Sequence, residues 1–356
     1  MHNLSIDSTQ VHTVTGLISV EKLGITLFHE HLFLDNSPAF RPSNDPSLAY
    51  LREKKVSIED LALLREYPYA SLDNVRLNEV DTLSWELEQF SALGGRSVVE
   101  VTGWNSGRSP YQLRQLSQMT GIQIIMGCGL YRERNHPDWA LDADEDEIAE
   151  RIVREVHEGI PTTDGLNVFP GIIGEIGVSN QFTLQEKKSL RAAAKAQVQT
   201  GLPLTIHLPG WERFGHSVLD LCEEQGVSPQ SIVLDHIDPS SVDPEYQSSL
   251  AGRGAFLEFD GIGMGLFLYQ EKQGPSDEVI AQAVIRLIDR GYQNQLILSH
   301  DIYLKIFWRK YGGNGYSHVL RSFIPRLMQL GVAPSICKQI LVDNPQRVFR
   351  NSASGT

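Results

Sequence analysis

The sequence predicts an α/β protein, a single (β/α)8 TIM barrel over residues 1–356, with a small N-terminal hairpin (1–22) and a helical capping insertion (32–81) after the first barrel strand. Three observations carry this. Eight short apolar runs alternate with longer amphipathic segments, the pattern of parallel strands joined by helices. The first run leads into "LFLDNSPAF", without the glycine-rich phosphate turn that an open doubly wound sheet would favour there. No low-complexity segment, short repeat or Pro/Gly/Ser linker divides the chain.

Taken in order, the hairpin, over about residues 10–22, precedes the first strand, "GITLFHEH" (24–31). The connection from 32 to 81 is partly helical and caps the barrel mouth. "DTLSWELEQFSALGG" opens on an Asp81 cap and stops at Gly94-Gly95. The strands "SVVEVTG" (97–103) and "IQIIMGCG" (122–129) follow. "DEDEIAERIVREVHEG" places acids in its first turn, where the helix dipole favours them. After the fourth strand, "GIIGEIG" (171–177), a helix opens with the capping-box spacing of Thr183 and Glu186. The remaining strands are "LPLTIHL" (202–208), "SIVLDHI" (231–237), "GAFLEFDG" (254–261) and "QLILSHD" (295–301). "SDEVIAQAVIRLIDRG" and "SHVLRSFIPRLMQLG" read as helices, the second kinked or cut short at Pro325.

The net charge of −13 argues against a nucleic-acid or anionic-membrane surface. No apolar run approaches the ~20 residues that span a bilayer. The N-terminus lacks the basic start and apolar core of a signal peptide. Cys128, Cys222 and Cys337 are far apart and odd in number, which points to buried small hydrophobes in a reducing compartment. The expectation is a soluble cytoplasmic protein whose partner is a small molecule.

The chemistry of a (β/α)8 barrel sits at the C-terminal ends of its strands. There the first strand carries His29 and His31, on one face because a strand alternates with a period of two; Glu30 points the other way. The fourth ends in Glu175, the fifth in His207, the sixth in His236 and the eighth in Asp301. Any one of them has a bland reading as a core histidine or ion-pair partner. Together they are a ligand set for Zn2+, Mn2+ or Fe2+. Four histidines and two carboxylates exceed the needs of one tetrahedral ion. They suit two divalent ions roughly 3.5–4 Å apart, bridged by a carboxylate and a water-derived hydroxide. Asp301, at the end of the last strand, is placed to accept the nucleophile's proton.

"GITLFHEHLFLD", "GIIGEIG", "TIHLPG", "VLDHID" and "LILSHDI", in this order, resemble the phosphotriesterase family of the amidohydrolase superfamily. The match runs from "TVTGLIS" to "LVDNPQRVF", and "GEIG" with "YGGNGYSHVLRSFIPRL" is most similar to the phosphotriesterase-related branch. The resemblance implies that His29, His31 and Asp301 bind a buried ion, that His207 and His236 bind a more exposed one, and that Glu175 bridges both. Zn2+ is the first choice, with Mn2+, Co2+ or Fe2+ as alternatives. It also implies a homodimer. The chain departs from the phosphotriesterases proper in two places: Glu175 stands where they use a carboxylated lysine, and Gly261 where they carry a relay histidine beside Asp260.

On the substrate side, Tyr131 stands where related enzymes place an aromatic beside the metals. Arg132 and Arg134 offer charge for an anionic tail, and Asp260 is a further candidate. Trp104 and Glu100 are weaker pocket candidates, and the Gly-rich segment 310–318 reads as a lid, a phosphate-like pocket or a plain flexible loop. The expected activity is hydrolysis of a carboxylic ester, lactone or N-acyl amide by a metal-bridging hydroxide. The alternatives are an organophosphate triester or diester hydrolase, disfavoured by Glu175 and Gly261, and a non-catalytic ligand-binding barrel.

Overall fold

The computed structural model describes residues 9–352 apart from 266–267 and 270–271; residues 1–8 of the expected hairpin region lie outside it. Eight parallel strands form one sheet in chain order: β1 (Ile25–Glu30), β2 (Gly95–Glu100), β3 (Gln123–Cys128), β4 (Ile172–Gly177), β5 (Leu204–His207), β6 (Ile232–Asp235), β7 (Phe256–Phe259) and β8 (Leu296–Leu298). The seam between β8 and β1 is made by a side chain. The Ser299 hydroxyl accepts from the His29 N–H (3.0 Å) and donates to the His29 carbonyl (2.8 Å). The Asp301 N–H also reaches that carbonyl, at 3.2 Å.

Each gap between strands holds one principal helix. They are α1 (Val80–Ala92), α2 (Pro110–Thr120), α3 (Glu145–Glu158), α4 (Leu184–Thr200), α5 (Gly215–Glu224), α6 (Pro244–Gly252) and α7 (Asp277–Asp289). The strands read as continuous apolar runs because both of their faces are buried. Inside the barrel, Phe28, Val99, Ile125, Ile172, Val233 and Ile297 pack with Val11 of the hairpin (Gln10–Thr13 with Gly16–Ser19) and with Phe349 of the final helix (Asn344–Ser352). These two terminal elements therefore plug the end opposite the strand C-termini.

The capping boxes of α3 (Asp144 with Glu147) and α4 (Thr183 with Glu186) have both reciprocal bonds. The expected Asp81 cap is corrected. Glu79 holds the N-cap position of α1, and Asp81 lies in the first turn, where the dipole still favours it. Nor is the Pro325 segment cut short. A π-helical turn, Val319–Phe323, runs directly into the α-helix Ile324–Gln329, so the helix continues through the proline with its hydrogen-bond pattern changing just before it. The sequence pattern does not single out α2, α5 or α6; α6 even buries Gln247 and Ser248, which hides any apolar stripe.

The insertion after β1 is built of 3-10 turns, a short helix (Leu61–Glu66) and a two-stranded pairing of Leu34–Asp35 with Arg76–Leu77. It is bolted to the loop after β8 by Lys305. That buried ammonium donates to Asp73 (2.9 Å) and to Glu79 (2.7 Å). The Gly-rich segment is neither lid nor flexible loop. Tyr316 is fully buried and its hydroxyl donates to the His31 carbonyl at 2.7 Å, so the segment braces the first strand from behind.

Candidate active site

All six strand-end candidates converge on one buried cluster. Glu175 lies at its centre: Oε1 is 3.3 Å from His31 Nε2, and Oε2 is 3.0 Å from His207 Nδ1, 3.7 Å from His236 Nε2 and 3.8 Å from His29 Nε2. Asp301 Oδ1 is 3.3 Å from His31 Nε2 and 3.6 Å from His29 Nε2, and its Oδ2 is 3.8 Å from His236 Nδ1. His207 and His236 approach within 2.6 Å. The backbone is bent to present two of these groups: His236 and Asp301 have φ of 57° and 51° without being glycine. Such strain persists only where surrounding contacts hold it.

Those contacts are visible. Glu30, on the far face of β1, accepts from His300 N–H (3.0 Å), His300 Nδ1 (2.7 Å) and Ile302 N–H (3.1 Å) and lies 2.8 Å from Ser299 Oγ, clamping the chain on both sides of Asp301. His31 Nδ1 is 2.8 Å from Thr102 Oγ1. His236 Nδ1 is 2.9 Å from Asp260 Oδ1, whose other oxygen accepts the His236 N–H at 3.0 Å. Asp260, which also lines the cavity above, aims His236 through both of its oxygens. Beneath the cluster, His29 Nδ1 faces Asp235 (3.5 Å), Asp260 (3.7 Å) and Glu258 (3.9 Å). Asp235 and Glu258 escaped the sequence reading, although the alternation of Glu258 with Asp260 along an apolar strand signals two carboxylates on one face.

Burial disfavours charge on His29 and His31, yet the surrounding carboxylates overcome it, led by Asp235 at His29 and by Asp301 and Glu175 at His31, and hold them near about 9 and about 10. Burial likewise opposes ionisation of Glu175, but bonds from His207, His236 and His31 keep it well below the usual carboxylate range. An environment that concentrates protons on imidazoles is one that attracts cations. The residues fit divalent metal. Buried His29 Nε2 and His207 Nε2 have no hydrogen-bond partner, and four imidazoles with two carboxylates are the donors borderline-hard ions prefer.

A cavity opens over the cluster, lined in part by His31, Glu175, His207, His236 and Asp301 and, from the insertion, by Leu34, Asn36 and Tyr69. Tyr131 and Arg132 line it as well, with the Tyr131 hydroxyl 3.4 Å from His207 Nδ1. Arg134 is exposed and is not part of this lining. Glu100 is buried beneath, accepting from Leu32 N–H at 3.3 Å, and Trp104 lines a separate surface groove, so neither is a pocket residue. At Gly261 a Cβ would lie 3.2 Å from Asp238 Cγ; Asp238 already occupies the ground a larger side chain would need.

Residues 9–349 match the Phosphotriesterase family. An N-acetyltaurine hydrolase from Dictyostelium discoideum is 34% identical, over 96% of this chain and 97% of its own. A solved structure of a resiniferatoxin-binding protein from Rhodobacter sphaeroides is 46% identical, with a TM-score of 0.94 and 98% of each chain covered. The phosphotriesterase homology protein from Escherichia coli, solved with phosphate in its active site, is 27% identical at a TM-score of 0.76, covering 92% of this chain and 99% of its own.

Proposed function

The chain belongs to the phosphotriesterase family of metal-dependent hydrolases, and from that premise we propose that it cleaves a carboxylic ester, lactone or N-acyl amide at a binuclear centre. The observation that carries this reading is the place of Glu175, whose two oxygens face His31 on one side and His207 on the other. His29, His31 and Asp301 would hold the deeper ion, His207 and His236 the one nearer the cavity, and Glu175 would bridge them. Zn2+ is the expected metal. When bound, the pair supplies a water-derived hydroxide at neutral pH and polarises the scissile carbonyl.

The protein's own groups do the rest. Asp301 accepts the nucleophile's proton as the carbonyl carbon is attacked. The Tyr131 hydroxyl, beside His207, is positioned to donate to the carbonyl oxygen as charge develops there. The leaving nitrogen or oxygen takes up a proton as its bond to carbon breaks. The amide form of the reaction draws support from relatives named for hydrolysis of an N-acetyl compound.

The test is a panel of lactones, aryl esters, N-acyl amino acids and phosphotriesters, presented to Zn2+- or Mn2+-loaded protein with metal content measured by mass spectrometry. About two ions per chain are expected, with turnover of carboxylic derivatives. Glu175→Gln should bind fewer ions and lose at least ~100-fold in kcat. Turnover confined to phosphotriesters would overturn the proposal, as would full activity in Glu175→Gln.

A further inference from the structure

The two nitrogens of His29 face different surroundings. Nε2 looks into the ligand cluster, 3.6 Å from Asp301 and 3.8 Å from Glu175. Nδ1 looks away from it, into the barrel, where Asp235, Asp260 and Glu258 stand at 3.5, 3.7 and 3.9 Å. The ring is fully buried, so these carboxylates meet no competition from bulk water for Nδ1.

They are not equivalent. Both oxygens of Asp260 are committed to His236. Glu258 is the farthest, and neither of its oxygens has a hydrogen-bond donor to fix it. Asp235 is the nearest, and it is held. Its Oδ1 accepts from Thr205 Oγ1 at 2.6 Å, which leaves Oδ2, buried and without a hydrogen-bond partner, facing Nδ1. Asp235 is the last residue of β6, and strand alternation would send it and His236 to opposite faces. His236 escapes the alternation through its φ of 57°. One short stretch therefore supplies a member of the cluster and a carboxylate beneath it.

A fully buried carboxylate is costly to desolvate, and among the described residues the Thr205 hydroxyl is its one hydrogen-bond donor. An imidazole N–H made more positive by a cation on the ring's other nitrogen offsets that cost. The same bond fixes the tautomer and the tilt of the ring.

Resting on the binuclear hydrolase reading above, we propose that Asp235, braced by Thr205, is a positioning residue for the metal centre: it takes the Nδ1–H of His29 and so presents Nε2 as a ligand to the deeper ion. Thr205, Asp235 and His29 form a chain from β5 through β6 to β1, across the inside of the barrel. Asp235 touches neither ion nor substrate. Its influence is on how tightly the deeper ion is held, and the ion at His207 and His236 is left nearly as it was.

The experiment titrates the full-length, metal-free protein with Zn2+ against a chromophoric chelator of known affinity. Wild type should bind about two ions. Asp235→Asn should weaken one of them roughly 10–100-fold, the usual effect of losing such a partner, and leave the other nearly unchanged. Thr205→Val should weaken the same ion by less, and add nothing in the Asp235→Asn background, because the hydroxyl acts through the carboxylate. In the Zn2+-loaded protein, labelled at histidine nitrogens, nuclear magnetic resonance should show a strongly deshielded imidazole proton that Asp235→Asn removes, while the one His236 shares with Asp260 stays. Unchanged affinity for both ions in Asp235→Asn, an equal loss at both, or a Thr205→Val effect that persists in that background would refute the assignment and leave the binuclear reading standing. Wild type that holds no ion tightly would overturn both.

Discussion

Glu86, on α1, is fully buried beneath the loop after β8; one of its oxygens accepts a long 3.4 Å bond from Lys310 N–H, and the other lies buried without a hydrogen bond. Burial lifts its carboxyl from 4.5 to about 7. Between those values the folded protein keeps a proton that the unfolded chain gives up, so this residue's contribution to stability falls as pH rises through that window and levels off above it. Glu86→Gln removes the titration while keeping the shape. Its melting temperature should exceed wild type by a few degrees at pH 8, with the gap closing near pH 5; a gap that ignores pH would contradict this. In the sequence Glu86 is one acid among many on a helix, because nothing local says that residue 310 will cover it. The ligand candidates were legible for the opposite reason. His29, His31, Glu175, His207, His236 and Asp301 each announce themselves by position at a strand end, and a barrel gathers strand ends whatever lies between them. That Asp260 pairs with His236 was not legible, because His236 stands on a different strand.

Among elements, the insertion and the loop after β8 depend on one another through Lys305, which meets Asp73 and Glu79 in a buried network. Replacing it with methionine strands two carboxylates. Breaking a buried pair costs about 3–5 kcal/mol; here Asp73 retains Lys55 and Glu79 retains Lys310, which sets the expectation at about 3 kcal/mol. Hydrogen exchange should show residues 32–79 losing protection in Lys305→Met while β3 to β6 keep theirs. Uniform loss across the barrel would show that the lysine is no local bolt. Strands and boxed helices could be read directly, since apolar runs and capping residues are short-range signals. The Gly-rich segment could not. Its glycines suggested freedom, but they answer to the fold: a Cβ on Gly313 would strike the backbone of Phe307, and Gly312 and Gly315 hold positive φ of 91° and 67°.

At the scale of the whole molecule, the buried His, Glu and Asp301 cluster draws on β1, β4, β5, β6 and β8 or the residues just beyond them. Metal that binds there binds only the folded state, and at a thousandfold excess over its dissociation constant one ion adds about 4 kcal/mol. Chelation should therefore lower the melting temperature by several degrees, with reversal on adding Zn2+ back; a transition indifferent to chelator would argue against ions held by these side chains. The seam at Ser299 carries a different implication, one of time. Its two bonds join residues 270 positions apart. During synthesis the chain carries His29 and His31 for most of its length before Ser299 and Asp301 exist to close the ring. The fold can only finish from its last strand, and pairing of such distant segments is slow to find. A ribosome-bound chain halted before residue 299 would hold every β-strand of the barrel wall but no closed wall, and two histidines still waiting for their carboxylate.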